Sequence, residues 1–237
     1  MSGVSRLEPV PAVALWSDQS IHIPTVCLDP AGIHHQGPEN RFEDGLLWPQ
    51  VAGTPTGAPR YAEVNPLLQR VAMEGLLCQI GMGPATRSPK GVLWLLHQPE
   101  GTRDDPVRDW AGGENVLDPP VCLFHARDAA GTCPELRRGH EAFWVGDSEL
   151  VGVAGLYYPP DQAQPVDRTI PLDSPETRFL VATALIRELR NVSPVDLADP
   201  LLPVDPVPCN AQPDGAAPMK RCPARPSPFT SSPLDLN

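Results

Sequence analysis

Cysteine and histidine stand at metal-ligand spacing in two short segments of the chain. Cys78 begins the segment CQIG, and Cys122 and His125 bound the segment CLFH. Zinc in proteins takes four nitrogen or sulfur ligands in a tetrahedron, and two ligands separated by two residues reach one ion from a single turn. The second ligand position of the first segment holds Gly81, so three donors remain. The spacing therefore predicts a zinc centre that includes Cys78, Cys122 and His125.

The fourth ligand has three candidates, which are Cys133, His97 and a water molecule. Cys133 lies eleven positions beyond Cys122, and a continuous helix would place it about 16 Å away. It reaches the ion only if the chain bends at Gly131. We predict the metal ligands to be Cys78, Cys122, His125 and Cys133. The alternative is that these cysteines are reduced and packed in a core that has lost its metal.

The elements around the candidate ligands follow the order of a treble-clef zinc motif. Glycines and a proline predict a turn over 78–84, and the run GVLWLL at 91–96 predicts a strand. A helix is predicted over 121–130, with Gly131 ending it and the second ligand pair in its first turns. We therefore expect an α+β fold. Its centre would be a small treble-clef or zinc-ribbon-like core with short antiparallel strands and two or three helices.

Two more helices are predicted from their first residues. Asn65 can cap a helix and Pro66 is tolerated at its first position, and apolar residues follow at helical spacing. Ser174 gives a stronger start, because a proline and an acidic residue follow it. The apolar residues over 179–189 would form a broad buried face, so the second helix is expected to run to about residue 190.

Strands are expected on either side of these helices. Short apolar runs at 12–16 and 21–28 contain β-branched residues, which are typical of strands. Two further strands, at 142–145 and 150–158, are expected to pair around a turn at Gly146. These strands would complete the antiparallel part of the fold.

Proline divides the chain into three parts. The sequence has 32 prolines among 237 residues, eleven of them after residue 191, and proline interrupts helices and central strands. We predict an N-terminal strand and loop segment over 1–60, a cysteine-containing α+β core over 61–191 and a proline-rich disordered tail over 192–237. Cys209 and Cys222 fall in this tail and are interpreted as free thiols.

The charge of the chain argues against a nucleic-acid partner. The formal net charge is −11, which repels a phosphate backbone unless a local basic patch forms. The pairs Arg137 with Arg138 and Arg187 with Arg190 are interpreted as solvated surface side chains. Neither a signal peptide nor an apolar run of membrane-spanning length is visible. We therefore expect a cytoplasmic protein without a membrane partner.

The chain also resembles a protein family over residues 10–192. The resemblance is carried by the runs GLLWPQV, LLCQIGMGPA, GVLWLL, PPVCLFHARDAAGTCPELRRGH, GVAGLYY and RFLVATALIRELRNV. They are similar to an uncharacterised actinobacterial family, of Streptomyces type, in which the two ligand pairs read C-x2-C-G and C-x2-C-A. The resemblance implies a zinc-ribbon or treble-clef-like site with Cys78 and Cys122 as ligands and His125 in place of a cysteine. Gly81 departs from the pattern, and the family implies no established activity.

No catalytic signature accompanies the predicted zinc centre. The H-E-x-x-H pattern begun by His140 is broken by Trp144, and neither G-x-S-x-G nor a phosphate-binding G-x-x-x-x-G-K-[ST] occurs. We assign no catalytic residue and favour a non-enzymatic binding or scaffold protein whose partner is another protein. One alternative is an HNH-like, metal-dependent nuclease with His97 as general base. The other is a nucleic-acid-binding regulator that uses the arginine pairs.

Overall fold

A computed structural model describes residues 10–23, 25–35, 45–97, 113–161, 164–203 and 209. The strands in this part of the chain are β1 (Ala14–Trp16), β2 (Gln19–His22), β3 (Val26–Asp29), β4 (Gly32–His35), β5 (Gln50–Gly53), β6 (Pro59–Val64), β7 (Arg87–Ser88), β8 (Gly91–His97), β9 (Glu114–Val116), β10 (His140–Tyr157), β11 (Val166–Pro171) and β12 (Leu180–Pro194). The α-helices are α1 (Pro66–Gly75), α2 (Leu123–Thr132) and α3 (Pro134–Arg138), and a 3-10 helix (Pro175–Phe179) precedes β12.

The largest sheet is built around two long strands, β10 and β12. They pair antiparallel from Phe143 opposite Pro194 to Tyr157 opposite Leu180. On its other edge β10 pairs with β8 at its beginning and with β11 at its end. The order across the sheet is β7-β8-β10-β12-β9. The short strands are therefore held by two long ones that form the centre of the fold.

Three two-stranded sheets of the described residues, β1 with β6, β2 with β5 and β3 with β4, flank this sheet. The N-terminal segment is connected to the rest of the fold by backbone hydrogen bonds. The N–H groups of Ala12 and Val13 donate to the carbonyls of Ile80 and Gln79 at 3.1 and 3.2 Å. The N-terminal segment therefore lies directly against the turn that follows Cys78.

The expected turn at Gly146 is not present, and the two predicted strands are one continuous strand. Asp147 lies opposite Arg190 of β12, within the paired stretch. Neither Gly146 nor Asp147 has a positive φ, which the tight turn of a two-residue hairpin requires. The long partner β12 supplies hydrogen bonds on both sides of this position, and that pairing keeps the chain extended.

The helix predicted from Ser174 is wrong beyond its first turn. Ser174 Oγ accepts a hydrogen bond from the N–H of Glu176 at 3.2 Å, as a cap does, but the 3-10 helix ends at Phe179. From Leu180 onward the chain is β12, which pairs with β10 on one edge and with β9 on the other. A strand covered on both faces carries apolar residues without strict alternation, so its sequence is easily mistaken for a helix.

Other predicted elements are confirmed. Asn65 caps α1, because its side chain accepts hydrogen bonds from the N–H groups of Leu67 and Leu68. β8 and α2 fall where a strand and a helix were predicted, although α2 continues past Gly131 to Thr132. The described residues form a strand-rich mixture of α and β structure, with antiparallel strands and three α-helices. The coarse fold class is therefore as expected.

Strand β8 is buried on both faces, and α2 packs against one of them. Leu93 and Leu95 belong to an apolar cluster that also contains residues of α2. Trp94 and Leu96 belong to a different cluster, which lies on the opposite face because successive side chains of a strand alternate. The indole N–H of Trp94 donates to the carbonyl of Asp118 at 3.0 Å. Cys78 and Cys122 pack against the face of β8 that carries Leu93 and Leu95.

The predicted tail is described only at 192–203 and at Cys209, and its other residues lie outside the described part of the chain. In the described part, Val195, Leu197 and Leu202 pack against the apolar cluster of α2 and β8. Cys209 is buried in the same cluster, with 6% of its surface exposed. These residues of the C-terminal segment therefore belong to the packed fold.

Candidate metal centre

Three cysteines and one histidine lie close together at the start of helix α2. The donor atoms of the four residues lie within 4.8 Å of one another, and every one of the residues is buried. They are Cys78, Cys122, His125 and Cys209. This set contains three of the four ligands predicted from the sequence, and Cys209 stands in the place that we had assigned to Cys133.

Two of the distances between donors can be compared with those around a tetrahedral zinc ion. His125 Nδ1 lies 3.5 Å from Cys78 Sγ and 3.2 Å from Cys122 Sγ. Zinc–sulfur bonds of about 2.3 Å and zinc–nitrogen bonds of about 2.0–2.1 Å give tetrahedron edges of about 3.6 Å between sulfur and nitrogen. Edges between two sulfurs would be about 3.8 Å. The two sulfur–nitrogen separations match these edges to within a few tenths of an ångström, and all four donors lie within 4.8 Å of one another. The donor set is therefore consistent with a metal site.

Cys78 is positioned by a tight turn between α1 and β7. The N–H of Cys78 donates to the carbonyl of Gly83 at 2.7 Å, and the N–H of Met82 donates to the carbonyl of Cys78 at 2.8 Å. Met82 has the left-handed φ of 55°, and a bridge between Leu77 and Pro84 closes the turn. The glycines and proline predicted this turn, and its hydrogen bonds fix both backbone groups of Cys78.

Cys122 and His125 are positioned by the start of α2. Cys122 occupies the N-cap position with extended backbone angles but makes no capping hydrogen bond with its side chain. Thr86 Oγ1 instead accepts a hydrogen bond from the N–H of Leu123 at 2.6 Å. The Cys122 sulfur therefore remains available to the cluster. His125 lies one turn later on the same face of the helix.

Backbone hydrogen bonds join the turn, the β7–β8 hairpin and the start of α2. The N–H of Val121 donates to Leu93 O at 3.0 Å, and the N–H of Gln79 donates to Pro120 O at 3.0 Å. The N–H of Thr86 also donates to Val121 O at 3.3 Å. The turn that carries Cys78 and the helix start that carries Cys122 and His125 are therefore held together through the hairpin between them.

Cys209 approaches from the C-terminal segment and lies against Gly83. The N–H of Gly83 donates to Cys209 Sγ at 3.2 Å. A Cβ atom at position 83 would lie 2.9 Å from the same sulfur, so glycine is what permits this close approach. Cys209 is a free cysteine, as interpreted from the sequence, but it is buried beside the three other donors. Sequence reasoning missed Cys209 as a possible ligand. The only hint in the sequence was that the fourth ligand position was unfilled while this cysteine had no assigned role.

The other two candidates for the fourth ligand lie outside the cluster. Cys133 is half-buried and ends α2 while beginning α3, and it is not among the donors that lie within 4.8 Å of one another. The helix continues through Gly131 without the bend that Cys133 would need. His97 ends β8, with Nε2 4.0 Å from Glu135 Oε2 and a side chain that is 40% exposed.

The thiols perturb one another's ionisation. The pKa of Cys78 is lowered to about 4, chiefly because the Cys122 thiol donates a hydrogen bond to its sulfur. The same contact and burial raise the pKa of Cys122, and burial followed by the charge of Cys78 raises that of Cys209. The sulfurs also accept hydrogen bonds from backbone N–H groups, which belong to Gly81, Gly83, Cys122 and His125. Without a cation the cluster favours one thiolate, and a bound divalent cation would stabilise three.

Of the two arginine pairs, only Arg187 departs from the solvated surface that was expected, because Arg137 and Arg138 are exposed and the Arg190 side chain is 43% exposed. Arg187 is 8% exposed, and it donates to the carbonyls of Met73 and Ser148 at 2.9 Å each. Arg190 contacts the carboxylates of Glu188 and Glu149. Arg187 is therefore a structural residue of the sheet, because burial removes it from any surface that contacts a polyanion.

Comparison of the chain with known protein families, curated proteins and solved structures finds no match. Within the described residues, the helices are too short and too polar for any of them to cross a membrane. The cluster of Cys78, Cys122, His125 and Cys209 is therefore the feature that bears on function.

Proposed function

We propose that the chain is a non-enzymatic binding or scaffold protein stabilised by a structural zinc ion. The observation that carries the proposal is the burial of four N/S donors within 4.8 Å of one another. Structural zinc sites use four protein ligands, whereas catalytic zinc sites keep one position open for water or substrate. Four buried protein donors would fill the coordination sphere of one zinc ion, which favours the structural role.

The local fold supports a treble-clef-like unit around this ion. The Cys78 turn, the β7–β8 hairpin and the start of α2 follow one another in the order of that motif, and the last of these carries Cys122 and His125. The fourth ligand departs from the motif because it comes from Cys209, far along the chain. When bound, zinc would supply charge neutralisation for the three thiolates and join the turn, the helix and the C-terminal segment.

Another protein is the partner class we propose. The net charge of −11 opposes a nucleic-acid backbone, and the burial of Arg187 removes a basic group from the surface. With a polyanionic partner opposed by charge and no catalytic motif in the sequence, a protein is the partner class that remains.

The first experiment is the zinc content of protein purified without added metal. We expect about one zinc per chain, because a closed site with four protein ligands is the arrangement of structural zinc sites. Cys122→Ser should lose the metal and the thermal stability that depends on it, and Cys133→Ser is the matched control that should retain both. A wild-type protein without zinc, with a melting temperature that chelators leave unchanged, would mean that the cysteines are ordinary packing residues.

A nuclease assay distinguishes the principal alternative. Plasmid nicking with Mg²⁺ or Mn²⁺ that disappears in His97→Ala would replace the scaffold function with an HNH-like one. Glu135 lies beside His97, so Glu135→Gln is a useful second variant. We expect no nicking by the wild-type protein or by either variant.

A further inference from the structure

Two histidines lie opposite each other at one end of the β8–β10 pairing. His97 is the last residue of β8, and it is paired in register with His140, the first residue of β10. Directly opposite residues of antiparallel strands point to the same face of the sheet, with Cβ atoms about 4.5–5.5 Å apart. His97 is exposed and His140 is half-buried. The two imidazole rings are therefore presented together on one face of the sheet.

Helix α3 brings a carboxylate and a backbone carbonyl to these histidines. Glu135 Oε2 lies 4.0 Å from His97 Nε2. The carbonyl oxygen of the next residue, Leu136, lies 2.8 Å from His140 Nδ1. Helix α3 therefore contacts both rings, one through a negatively charged side chain and the other through its backbone.

The contact with Leu136 sets the tautomer of His140. A carbonyl oxygen only accepts hydrogen bonds, so Nδ1 of His140 carries a proton and donates it, and the neutral ring keeps a lone pair on Nε2. Histidines that bind metals are commonly oriented in this way, by a carbonyl or carboxylate that accepts from the other ring nitrogen. His140 is therefore oriented to bind a metal through Nε2. The exposed side chain of His97 has room to rotate toward the same point.

Arg138 is the ion-pair partner of the Glu135 carboxylate. Its guanidinium group donates to both carboxylate oxygens, at 2.8 and 3.1 Å, and its side chain is exposed. Exposed ion pairs contribute little to stability. A metal ion that binds Glu135 therefore competes with Arg138 at a small cost in free energy.

We propose that His97, His140 and Glu135 form a second metal site, which takes a divalent transition ion of the character of zinc. Two histidines and one glutamate are a ligand set of zinc sites that keep a position open for water, and imidazole favours zinc, nickel or copper over magnesium. With three exposed or half-buried ligands, this site binds more weakly than a closed one and is filled only when metal is added. It shares no residue with the four-donor centre, so it goes beyond the proposed function and does not depend on it.

The test is a calorimetric titration of the purified chain with Zn²⁺, after its metal content has been measured. We expect one further equivalent to bind. His97→Ala and His140→Ala should each weaken this binding by about tenfold or more, since the loss of even an outer contact to a metal ligand costs about 10–100-fold in affinity. His22→Ala is the matched control, because His22 is also exposed at the end of a strand but lies opposite Gln50.

A gain of affinity tests the site without the removal of a ligand, so it does not depend on how well the histidine variants fold. Arg138→Met removes the competitor for the Glu135 carboxylate and should tighten the binding of the further equivalent severalfold. Arg137→Met removes the same charge from the neighbouring exposed position and should have a smaller effect. Equal affinities in these two variants would overturn the role of Glu135 as a ligand.

The wild-type titration decides the site as a whole. The second site is overturned if no further equivalent binds, or if His22→Ala weakens the binding as much as His97→Ala does. A chain that is purified without zinc and binds a single ion dependent on His97 would support the second site. The same result would overturn the four-donor zinc centre, so the two failures are distinguishable.

Discussion

Thr86 and Leu123 are joined by a hydrogen bond of 2.6 Å, in which the Leu123 N–H donates to the Thr86 hydroxyl. This bond caps α2 from a different part of the chain, although the N-cap residue of the helix is Cys122. A serine or aspartate at the N-cap would normally cap the helix with its own side chain. Because Thr86 takes over this role, the Cys122 sulfur faces the other donors of the cluster.

Replacement of Thr86 by valine is expected to destabilise the fold by about 1–2 kcal/mol, because the buried Leu123 N–H loses its acceptor. Valine keeps the shape of the side chain, so packing is nearly unchanged. Thr86→Ser keeps the hydroxyl and is the control, with a smaller loss expected. Urea unfolding of the zinc-loaded proteins measures both changes. Equal stability of Thr86→Val and the wild type would show that the hydroxyl is not needed as a cap.

Replacement of Gly83 by alanine is expected to weaken the attachment of Cys209. The new Cβ would lie 2.9 Å from the Cys209 sulfur, closer than ordinary van der Waals contact, so the sulfur must move away. We expect metal stoichiometry to be retained and Cys209 to be alkylated faster than in the wild-type holoprotein. Gly131→Ala is the matched control, since nothing lies within 4 Å of a Cβ at that position. Wild-type labelling rates in Gly83→Ala would contradict the close approach.

Two glycine-to-alanine changes should act in opposite directions. At Gly155 a Cβ would lie 2.1 Å from the carbonyl oxygen of Val181, at a register shift between β10 and β12. Gly155→Ala should cost at least about 1–3 kcal/mol, because the two strands must separate locally. Gly131→Ala lies in α2 with open space around it and should stabilise by about 0.5–1 kcal/mol. Thermal unfolding of both proteins gives the signs, and a stabilised Gly155→Ala would contradict the strand pairing.

Arg187 is expected to be essential for the packing of α1 on β12. Its guanidinium group satisfies the carbonyls of Met73 and Ser148, and burial lowers its pKa. Arg187→Met leaves these carbonyls without a donor and should cost about 1–3 kcal/mol for each that stays buried. Arg190→Met is the control, because Arg190 is 43% exposed and exposed ion pairs contribute about 0–1 kcal/mol. The denaturant midpoints of unfolding of the two variants measure this difference. Equal midpoints would contradict a structural role for Arg187.

Local signals in the sequence were sufficient for several elements. Asn65 and Pro66 marked the start of α1, and the run at 91–96 marked β8, because capping chemistry and a dense apolar run depend on neighbouring residues only. The spacing of Cys122 and His125 placed both on one helical turn for the same reason. These features needed no knowledge of distant contacts.

Elements that depend on a distant partner were not predictable. The apolar residues of β12 fit a helical face as well as a strand covered on both sides, and pairing with β10 decided between them. The same pairing carried the chain through Gly146, where a turn was expected. In both places a long-range hydrogen-bonded ladder outweighed the local preference of the sequence.

By itself, the sequence determined three donors of the candidate centre and the turn and helix that carry them, because ligand spacing within one turn is a local property. Only the tertiary structure decided the fourth, by bringing Cys209 to Gly83 across 126 positions of the chain. Such a contact depends on residues 195–202 packing against α2 and on the absence of a side chain at position 83. Both are consequences of packing between distant segments, which residue type and spacing do not specify.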